Sequence, residues 1–345
     1  MLSNWINLSS NNSNNFILSS RVRLARNLKG VNFPHKLDDN SAIDVIDKIE
    51  NGLTGYRYKF KKIKLNDQGK IANNVLLEKH LISNDLIKFS TKSACFINED
   101  QTISIMVNEE DHLRMQFFNS GYNLKEAFDE AMELDDFIER KLDYAFDEKI
   151  GYLTTCPTNL GTGMRTSVMM HLPALSMTDQ ISKVYKALTQ IGMTIRGLYG
   201  EGSKIDGNIF QISNQITLGV SEKDILNNLH AIVNELIDKE RNVRKSLFDD
   251  FGIEIKDKIF RSVGILGNCY SITSKEALEY LSYIRLGIEE GILETDICMN
   301  GILIGCQPAS LQLNISNKMN SKERDIERAK FLRNSIKNIK IIDKN

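Results

Sequence analysis

The segment ACFINEDQTISIMV, residues 94–107, decides the fold class of this 345-residue chain. Two short runs rich in Val, Ile and Phe, at 94–97 and 102–107, flank a turn at 98–100, and this pattern predicts a hairpin of two antiparallel strands. Outward from the hairpin, further strand-like runs alternate with stretches whose apolar residues recur at helical spacing. The sequence therefore predicts an α+β fold.

The segments around the hairpin repeat this mixture of strands and helices. Helical spacing marks residues 123–146 and 179–191, whereas strand-like runs lie at 151–155, 193–198 and 208–212. Because strands and helices alternate along most of this region, we expect one sheet with helices packed on it.

A long helix is predicted from Ser221 onward, because Ser-Glu-Lys-Asp is a capping-box pattern at that point. After about residue 245 strand signals become rare, which predicts an α+β domain at 16–245 and a mostly helical domain at 246–345. An Asn- and Ser-rich start predicts a loose leader at 1–15. The apolar stripe of the long helix consists of Ile225, Leu229, Ile232, Val233, Leu236 and Ile237.

The composition excludes several classes of protein. Lys and Arg number 44 against 45 Asp and Glu, so the net charge of -1 excludes the basic surface of a general nucleic-acid binder. Five cysteines without C-x-x-C spacing indicate neither a disulfide framework nor a zinc ribbon. The sequence has no signal-peptide pattern, and no apolar run approaches the ~18–20 residues of a membrane span. We expect a cytoplasmic protein that binds neither membrane nor nucleic acid directly.

Five arginines beside Gly-, Asn- or Glu-rich turns are the first candidates for a functional site: Arg21, Arg23, Arg114, Arg165 and Arg196. In an extended segment, Arg21 and Arg23 point to the same side and present two guanidinium groups that suit polyphosphate oxygens. Taken singly, each of these arginines is equally an ordinary solvated charge. Together they can surround an anion from several sides without a Walker-type lysine, and the Walker motif itself is absent.

Two acidic residues point to a cation beside that anion. Glu110 follows a predicted strand within a three-acid cluster, and Glu201 lies between Gly200 and Gly202, where the backbone is free to approach a ligand. Acidic clusters at strand ends are also common as solvated turns. A phosphate site next to two carboxylates would accommodate a guanidinium acceptor.

Four motifs resemble the signatures of the ATP:guanidino phosphotransferases, the family of arginine and creatine kinases: SSRVRLARN at 19–27, NEEDHLR at 108–114, GYLTTCPTNLGTGMR at 151–165 and RGLYGEG at 196–202. The resemblance covers residues 16–245 and implies an antiparallel sheet flanked by helices. Within the family the chain is most similar to the bacterial protein-arginine kinases. Met169 stands where other members usually have histidine, no helical N-terminal domain is expected before residue 19, and a helical region follows residue 245.

The resemblance also implies roles for individual residues. Glu110 and Glu201 match the two carboxylates that hold the acceptor guanidinium, with Glu110 favoured as the base, and Cys156 matches the active-site cysteine. A buried, inert cysteine is the alternative for Cys156. Mg²⁺ is expected to arrive with ATP, without a metal site on the protein. The residues implied in ATP binding are Ser19, Ser20, Arg21, Val22, Arg23, His80, Arg114, Arg165, Thr166, Ser167, Val168, Met169, Arg196, Gly197, Leu198, Tyr199 and Gly200.

A further motif lies in the C-terminal region. Arg324, Asp325 and Arg328 fall in the sequence RDIERA, and one helical turn separates the two arginines. The pattern alone is typical of a charged surface helix. Its resemblance to the R-D-x-x-R-A motif of protein-arginine kinases implies an allosteric phosphoarginine site instead.

The resemblance implies a kinase that phosphorylates arginine side chains of proteins during stress-response quality control. The implied partners are a CtsR-like repressor and unfolded proteins as substrates, a McsA-like activator, a ClpC-type unfoldase and a second copy of the chain bound through the C-terminal domain. Two alternatives remain at this point. One is a kinase of free arginine or another small guanidine, and the other is a non-catalytic adaptor that binds phosphoarginine proteins.

Overall fold

An antiparallel sheet of eight strands carries the first part of the chain in the computed structural model, which describes Ile6 and residues 16–197, 207–315 and 319–342. Its strand order is β2-β3-β4-β5-β1-β8-β10-β9. These strands are β1 (Ile17–Arg26), β2 (Phe60–Ile63), β3 (Ala94–Asn98), β4 (Ile103–Val107), β5 (Leu113–Ser120), β8 (Met164–His171), β9 (Met193–Gly197) and β10 (Ile209–Asn214). Two short ribbons pair β6 (Phe146–Asp147) with β7 (Gly151–Tyr152), and β11 (Leu293–Glu294) with β12 (Lys340–Ile341).

Helices flank this sheet and form most of the C-terminal region. Among the described residues they are α1 (Asp39–Leu53), α2 (Lys70–Glu78), α3 (Asn84–Lys88), α4 (Leu124–Glu139), α5 (Pro173–Met177), α6 (Ile181–Gln190), α7 (Glu222–Asn268), α8 (Ser274–Glu289), α9 (Met299–Gly305), α10 (Pro308–Ile315) and α11 (Ser321–Ile336). None of the helices within these ranges combines the length and apolar character needed to cross a membrane.

The two faces of the sheet differ in chemistry because side chains alternate along each strand. On β1, Val22 and Leu24 are fully buried in a core formed with α1, α4, α6 and α7. Arg21 and Arg23 lie on the opposite face, where the register places Arg23 directly across from Arg165 on β8. A second apolar cluster borders this arginine-bearing face and includes Leu303 from the C-terminal helices. The fold thus gathers charges on one face while the other supplies the main core.

The hairpin and the long helix are confirmed. β3 and β4 pair antiparallel, and Ser221 caps α7 in a capping box with Asp224. The predicted helix at 123–146 is wrong at its end, because α4 stops at Glu139 and the chain beyond it bonds to the end of β1. There Lys29 N donates to Asp143 O at 2.9 Å and Ala145 N donates to Asn27 O at 2.7 Å. The predicted strand at 151–155 shortens to β7.

The predicted domain boundary at residue 245 falls inside α7. This helix continues past it to Asn268, and its geometry is interrupted at Phe251, whose φ and ψ are -133° and 31°. Beyond the interruption, the described residues form a separate apolar cluster with α8, α9 and α11, which includes Ile259, Leu281 and Leu332. Of the predicted loose leader, the structure describes Ile6 alone. Its side chain is buried, and the Cys298 thiol donates to its carbonyl at 3.0 Å, so the chain is packed at this residue.

The polar contacts that tie the sheet domain to the C-terminal helices in the described chain include two that centre on carboxylates. The first is made by Glu78, the last residue of α2, whose carboxylate accepts from Ala309 N at 2.7 Å and from Ser310 N at 2.8 Å. These amides begin α10, where backbone N–H groups have no partner within the helix. A carboxylate at this position also complements the helix dipole. Glu78 therefore caps a helix that follows it by more than two hundred residues.

The second contact is a buried cluster at the end of β8. His171 Nδ1 lies 3.3 Å from both carboxylate oxygens of Glu289, and its Nε2 lies 2.8 Å from Ser282 Oγ. Arg244 on α7 binds the same Glu289 at 2.7 Å and also Glu240 at 2.8 Å. Breaking a buried pair of this kind leaves an uncompensated charge, which is strongly destabilising.

We expect acidification to destabilise the protein through this cluster. Burial lowers the pKa of His171 more than Glu289 raises it, so the unfolded chain, with a histidine pKa of about 6.5, takes up a proton that the folded chain does not. Burial raises the pKa of Glu289, but the contact with His171 and the charges of Arg244 and Arg285 outweigh it and lower that pKa, which adds to the loss below about pH 4.3. The melting temperature is therefore expected to fall from pH 7 to pH 5. A His171→Asn variant should show a shallower pH dependence over this range, and an equal dependence would contradict the assignment.

Candidate active site

A cavity of about 670 Å³ opens on the arginine-bearing face of the sheet. Its walls bring together predicted residues from four motifs that are distant in the sequence: Arg23, Glu110, Arg114, Cys156, Arg165 and Arg196. β1, β5, β8 and β9 supply the arginines, and the loops that follow β4 and β7 supply the acid and the thiol. β5, β1 and β8 are neighbours in the sheet although they are not consecutive in the sequence, so the sheet topology is what brings these residues together.

Two of the arginines have no neutralising partner within the described chain. Arg23 and Arg165 each have a buried Nε without a hydrogen-bond partner there. Burial, followed by the charge of Arg21, lowers the pKa of Arg23 well below its usual value, and burial and Arg196 lower that of Arg165. Burying like charges together is costly unless an anion binds between them. The cavity therefore has an end suited to a polyphosphate.

Arg114 is held differently, by a carboxylate that the sequence analysis did not single out. Its Nη1 donates to both oxygens of Glu109, at 2.9 and 2.6 Å, and Ser83 Oγ donates to the same carboxylate at 2.5 Å. Glu109 is buried, so this ion pair fixes Arg114 in the cavity wall. The signal for it was present in the three-acid cluster, but spacing alone cannot tell the arginine's partner from the catalytic acid.

Glu110 is the acid that faces the cavity. Its side chain is 38% exposed, and its Oε2 lies 3.9 Å from Arg114 Nη1 and 3.4 Å from Asn159 Nδ2. Burial raises the pKa of Glu110, and this effect exceeds the lowering by Arg114; Asp111 raises it further. A carboxylate with a raised pKa is a better proton acceptor near neutral pH.

Cys156 lines the same cavity as Glu110. Its Sγ lies 3.0 Å from Thr158 Oγ1, and its backbone is extended, with φ of -96° and ψ of 123°, as the following proline favours. The side chain is partly exposed on the cavity wall. This placement argues against the alternative of an inert core cysteine.

The third acid of the cluster supports the cysteine loop. Asp111 is fully buried, and its Oδ1 accepts from Thr155 N at 2.7 Å and from Asn27 Nδ2 at 2.6 Å. The bond to Thr155 fixes the backbone immediately before Cys156. Gly163 ends the same loop with φ of +60°, and a Cβ there would come within 2.6 Å of Ala25 O. A glycine is therefore required where the loop returns to β8.

A smaller pocket surrounds Arg21 and contains other predicted ATP-binding residues. Its lining includes Ser19, His80, Ser167 and Met169. Burial and the charges of Arg114 and Arg165 lower the pKa of Arg21 to about 9, and burial followed by Arg21 lowers that of His80 to about 3. His80 is therefore neutral at physiological pH and adds no charge to the arginine group.

The remaining predicted positions lie on the far face of the sheet, at the end of β9 or outside the described residues. Ser20, Val22, Thr166 and Val168 are buried on the far face of the sheet, and the strand alternation keeps their side chains out of the cavity. Gly197 is the last residue of β9. The other predicted residues of the RGLYGEG motif lie outside the described part of the chain: Leu198, Tyr199, Gly200 and Glu201.

The C-terminal motif lies on α11. Arg328 is 1% exposed and donates to Cys306 O and Ile272 O, both at 2.8 Å, and to Asp325 Oδ1 at 2.5 Å. Arg324 Nη1 donates to Met319 O at 2.9 Å. Arg328 is thus a buried anchor, whereas Arg324 and Asp325 are partly exposed. The interpretation as a purely solvated charged helix does not fit this burial.

Comparison with known proteins agrees with the family that the sequence motifs resemble. Residues 42–243 match the family model of the ATP:guanido phosphotransferase C-terminal catalytic domain, and residues 252–345 match that of the protein-arginine kinase McsB C-terminal domain. A protein-arginine kinase of Clostridium novyi (strain NT) is 49% identical over 345 residues, covering 99% of this chain and 100% of the relative. Another, from Clostridium acetobutylicum, is 48% identical over 342 residues, covering 97% of this chain and 100% of the relative.

A solved structure has a similar fold. The crystal structure of a lombricine kinase superposes with a TM-score of 0.61 at 25% identity, covering 70% of this chain and 71% of that one. The two family models together cover the sheet domain from residue 42 onward and the C-terminal helices, and the relatives match over their full length. The chain therefore belongs to the ATP:guanido phosphotransferase family and, within it, to the protein-arginine kinases.

Proposed function

We propose that the chain transfers the γ-phosphoryl group of Mg·ATP to a guanidinium nitrogen of arginine side chains in proteins, with Glu110 as the base. One observation carries the proposal. A single cavity is lined by two arginines that have no ion-paired carboxylate among the described residues, Arg23 and Arg165, and by an acid with a raised pKa and a thiol, Glu110 and Cys156. This arrangement suits an anionic donor and a cationic acceptor in contact.

The chemistry follows from the charges of the two substrates. A guanidinium group is a poor nucleophile, because its lone pairs are delocalised and it stays protonated. Glu110 orients the planar group and takes the proton of the attacking nitrogen as the N–P bond forms and the bond from Pγ to the β-phosphate oxygen breaks. ADP leaves, and the arginines stabilise the charge that develops on the transferring group.

Cys156 and Glu201 complete the acceptor end in this proposal. A Cys156 thiolate next to the guanidinium would add negative charge close to the attacking nitrogen. Glu201 is assigned as the second orienting carboxylate from its motif alone, since it lies outside the described residues. Mg²⁺ is expected to enter bound to the phosphates of ATP.

The alternative of a free-arginine or other small-guanidine kinase uses the same chemistry. The match of residues 252–345 to the protein-arginine kinase C-terminal domain favours protein substrates. The non-catalytic adaptor is disfavoured because Glu110 and Cys156 are both present on the cavity wall.

One assay distinguishes the three functions. The full-length chain is incubated with Mg·ATP and either an unfolded protein or free L-arginine, and acid-labile phosphate is measured on each. We expect label on the protein. Label on free arginine alone would overturn the choice of substrate, and label on neither would favour the adaptor.

The cellular setting is also part of the proposal. We infer that the protein acts in the cytoplasm in stress-response quality control, as a homodimer, with a CtsR-like repressor and unfolded proteins as substrates, a McsA-like activator and a ClpC-type unfoldase. The resemblance of RDIERA to a phosphoarginine motif supports regulation by phosphoarginine. Arg324 and Asp325 would contact that ligand, while buried Arg328 holds Asp325 in place.

A further inference from the structure

Arg21 differs from Arg26, Arg114 and Arg244 in the groups that hold it. Its Nη2 donates to Gln211 Oε1 at 2.7 Å, its Nη1 to Gln116 Oε1 at 3.4 Å and its Nε to Ser167 Oγ at 3.3 Å. Its guanidinium carbon also lies 5.7 Å from the centre of the Phe118 ring. Every one of these partners is electrically neutral.

Those three arginines are each paired with a carboxylate. Arg26 binds Asp135 at 2.6 Å, Arg114 binds Glu109 at 2.6 Å, and Arg244 binds Glu240 and Glu289 at 2.8 and 2.7 Å. Such pairing offsets the cost of taking a charge out of water. At Arg21 the neighbouring groups orient the guanidinium, but none of the partners named above carries a negative charge that would offset its removal from water.

The two glutamines are placed to orient the guanidinium from both sides. Gln116 on β5 is buried, and its Nε2 donates to Leu81 O at 3.1 Å and His80 O at 3.4 Å. Because its nitrogen is engaged by carbonyls, its oxygen must face Arg21. Gln211 approaches from β10, on the far side of β8, and neighbours Met169 and Arg196 across the strands.

We propose that Gln116 and Gln211 are positioning residues for nucleotide binding, which orient Arg21 through neutral amides and leave its full charge available to the ATP phosphates. The inference rests on the proposed function, because it takes ATP as the anion that this arginine meets. A carboxylate at either position would hold Arg21 equally well but would cancel its charge and repel phosphate oxygens. Amides and carboxylates have nearly the same shape, so the charge alone separates these outcomes.

The test is a set of variants of the full-length chain that change charge and shape separately. Gln211→Glu adds a charge with almost no change of shape, whereas Gln211→Ala removes the amide and leaves Arg21 charged. Gln190→Glu adds the same charge at an exposed position on α6, which packs on the opposite face of the sheet. Mg·ATP affinity is measured by calorimetry, with melting temperatures of the free proteins and KM and kcat for the reaction.

We expect Gln211→Glu to weaken ATP binding by roughly tenfold or more, Gln211→Ala to weaken it less, and Gln190→Glu to bind as the wild type does. The free Gln211→Glu protein should melt no lower than the wild type, and its defect should appear as a raised KM for ATP more than as a lowered kcat. Salt screens the repulsion between the added carboxylate and the phosphates. Higher ionic strength should therefore narrow the difference in ATP affinity between Gln211→Glu and Gln211→Ala.

Two results would overturn the inference: Gln211→Glu binding ATP as tightly as the wild type, or binding no more weakly than Gln211→Ala. If Gln211→Glu fails to fold, Gln116→Glu gives the same comparison from β5. A wild-type chain that binds no ATP would overturn the proposed function itself. Normal wild-type binding with unaffected glutamate variants would overturn only the role of the two glutamines.

Discussion

Replacing Glu110 by glutamine is expected to lower kcat for arginine phosphorylation by about 10²–10⁴-fold while ATP still binds. The amide keeps the size of the side chain but can neither take the proton of the attacking nitrogen nor balance the acceptor's charge. Because burial raises the pKa of Glu110, the wild-type rate should also fall as pH drops through that pKa and the carboxylate becomes protonated. The measurements are kcat against pH and the ATP dissociation constant of both proteins.

The neighbouring acid is the matched control for this prediction. Glu109→Gln removes the partner of Arg114 on the phosphate side, so it should raise KM for ATP more than it lowers kcat. A Glu110→Gln enzyme that keeps more than about a tenth of the wild-type kcat would remove Glu110 from the role of base. Equal loss of ATP binding in this variant would place it at the phosphate end instead.

Arg23→Met is expected to weaken ATP binding by about 10²-fold or more, yet to leave the free protein at least as stable as the wild type. Arg23 contributes a buried charge whose neighbours repel it, since Arg21, Arg114 and Arg165 all lower its pKa. Removing it relieves repulsion in the empty cavity and deletes a donor to phosphate. Calorimetric ATP titration and thermal unfolding of the same sample measure both effects.

Arg26→Met provides the opposite case three residues along the same strand. Arg26 is buried against Asp135 at 2.6 Å, and it also donates to Thr162 O at 3.0 Å. Its removal leaves Asp135 uncompensated, which is expected to cost about 3–5 kcal/mol of stability. If Arg23→Met destabilised the free protein as much as Arg26→Met does, Arg23 would be a structural residue rather than part of a preformed anion site.

The contrast between Arg23 and Arg26 separates what the sequence alone could predict from what required the structure. The hairpin at 94–107 and the cap at Ser221 are local features, and their patterns were sufficient to predict them. The motif SSRVRLARN identified a functional segment, but the different roles of Arg23 and Arg26 depend on partners that the topology brings in. Asp135 is 109 residues from Arg26, and no spacing rule connects the two.

The separate roles of the three acids at 109–111 were equally impossible to predict from the sequence. Sequence spacing placed Glu109, Glu110 and Asp111 together, but only their separate contacts with Arg114, the cavity and Thr155 give them three different roles. The end of α4 was missed for a related reason. Hydrogen bonds from Lys29 N to Asp143 O and from Ala145 N to Asn27 O join this segment to the end of β1 and override the helical pattern after Glu139.

The cap that Glu78 places on α10 has a consequence for how the protein is made. Glu78 and Ala309 are 231 residues apart, and a ribosome adds about 5–20 residues per second, so roughly 10–50 s separate their synthesis. During that interval the end of α2, which leads directly into the His80 turn, has no helix to cap. The segment that carries His80 into the pocket around Arg21 therefore gains this support only late in translation, after the C-terminal helices have emerged and docked.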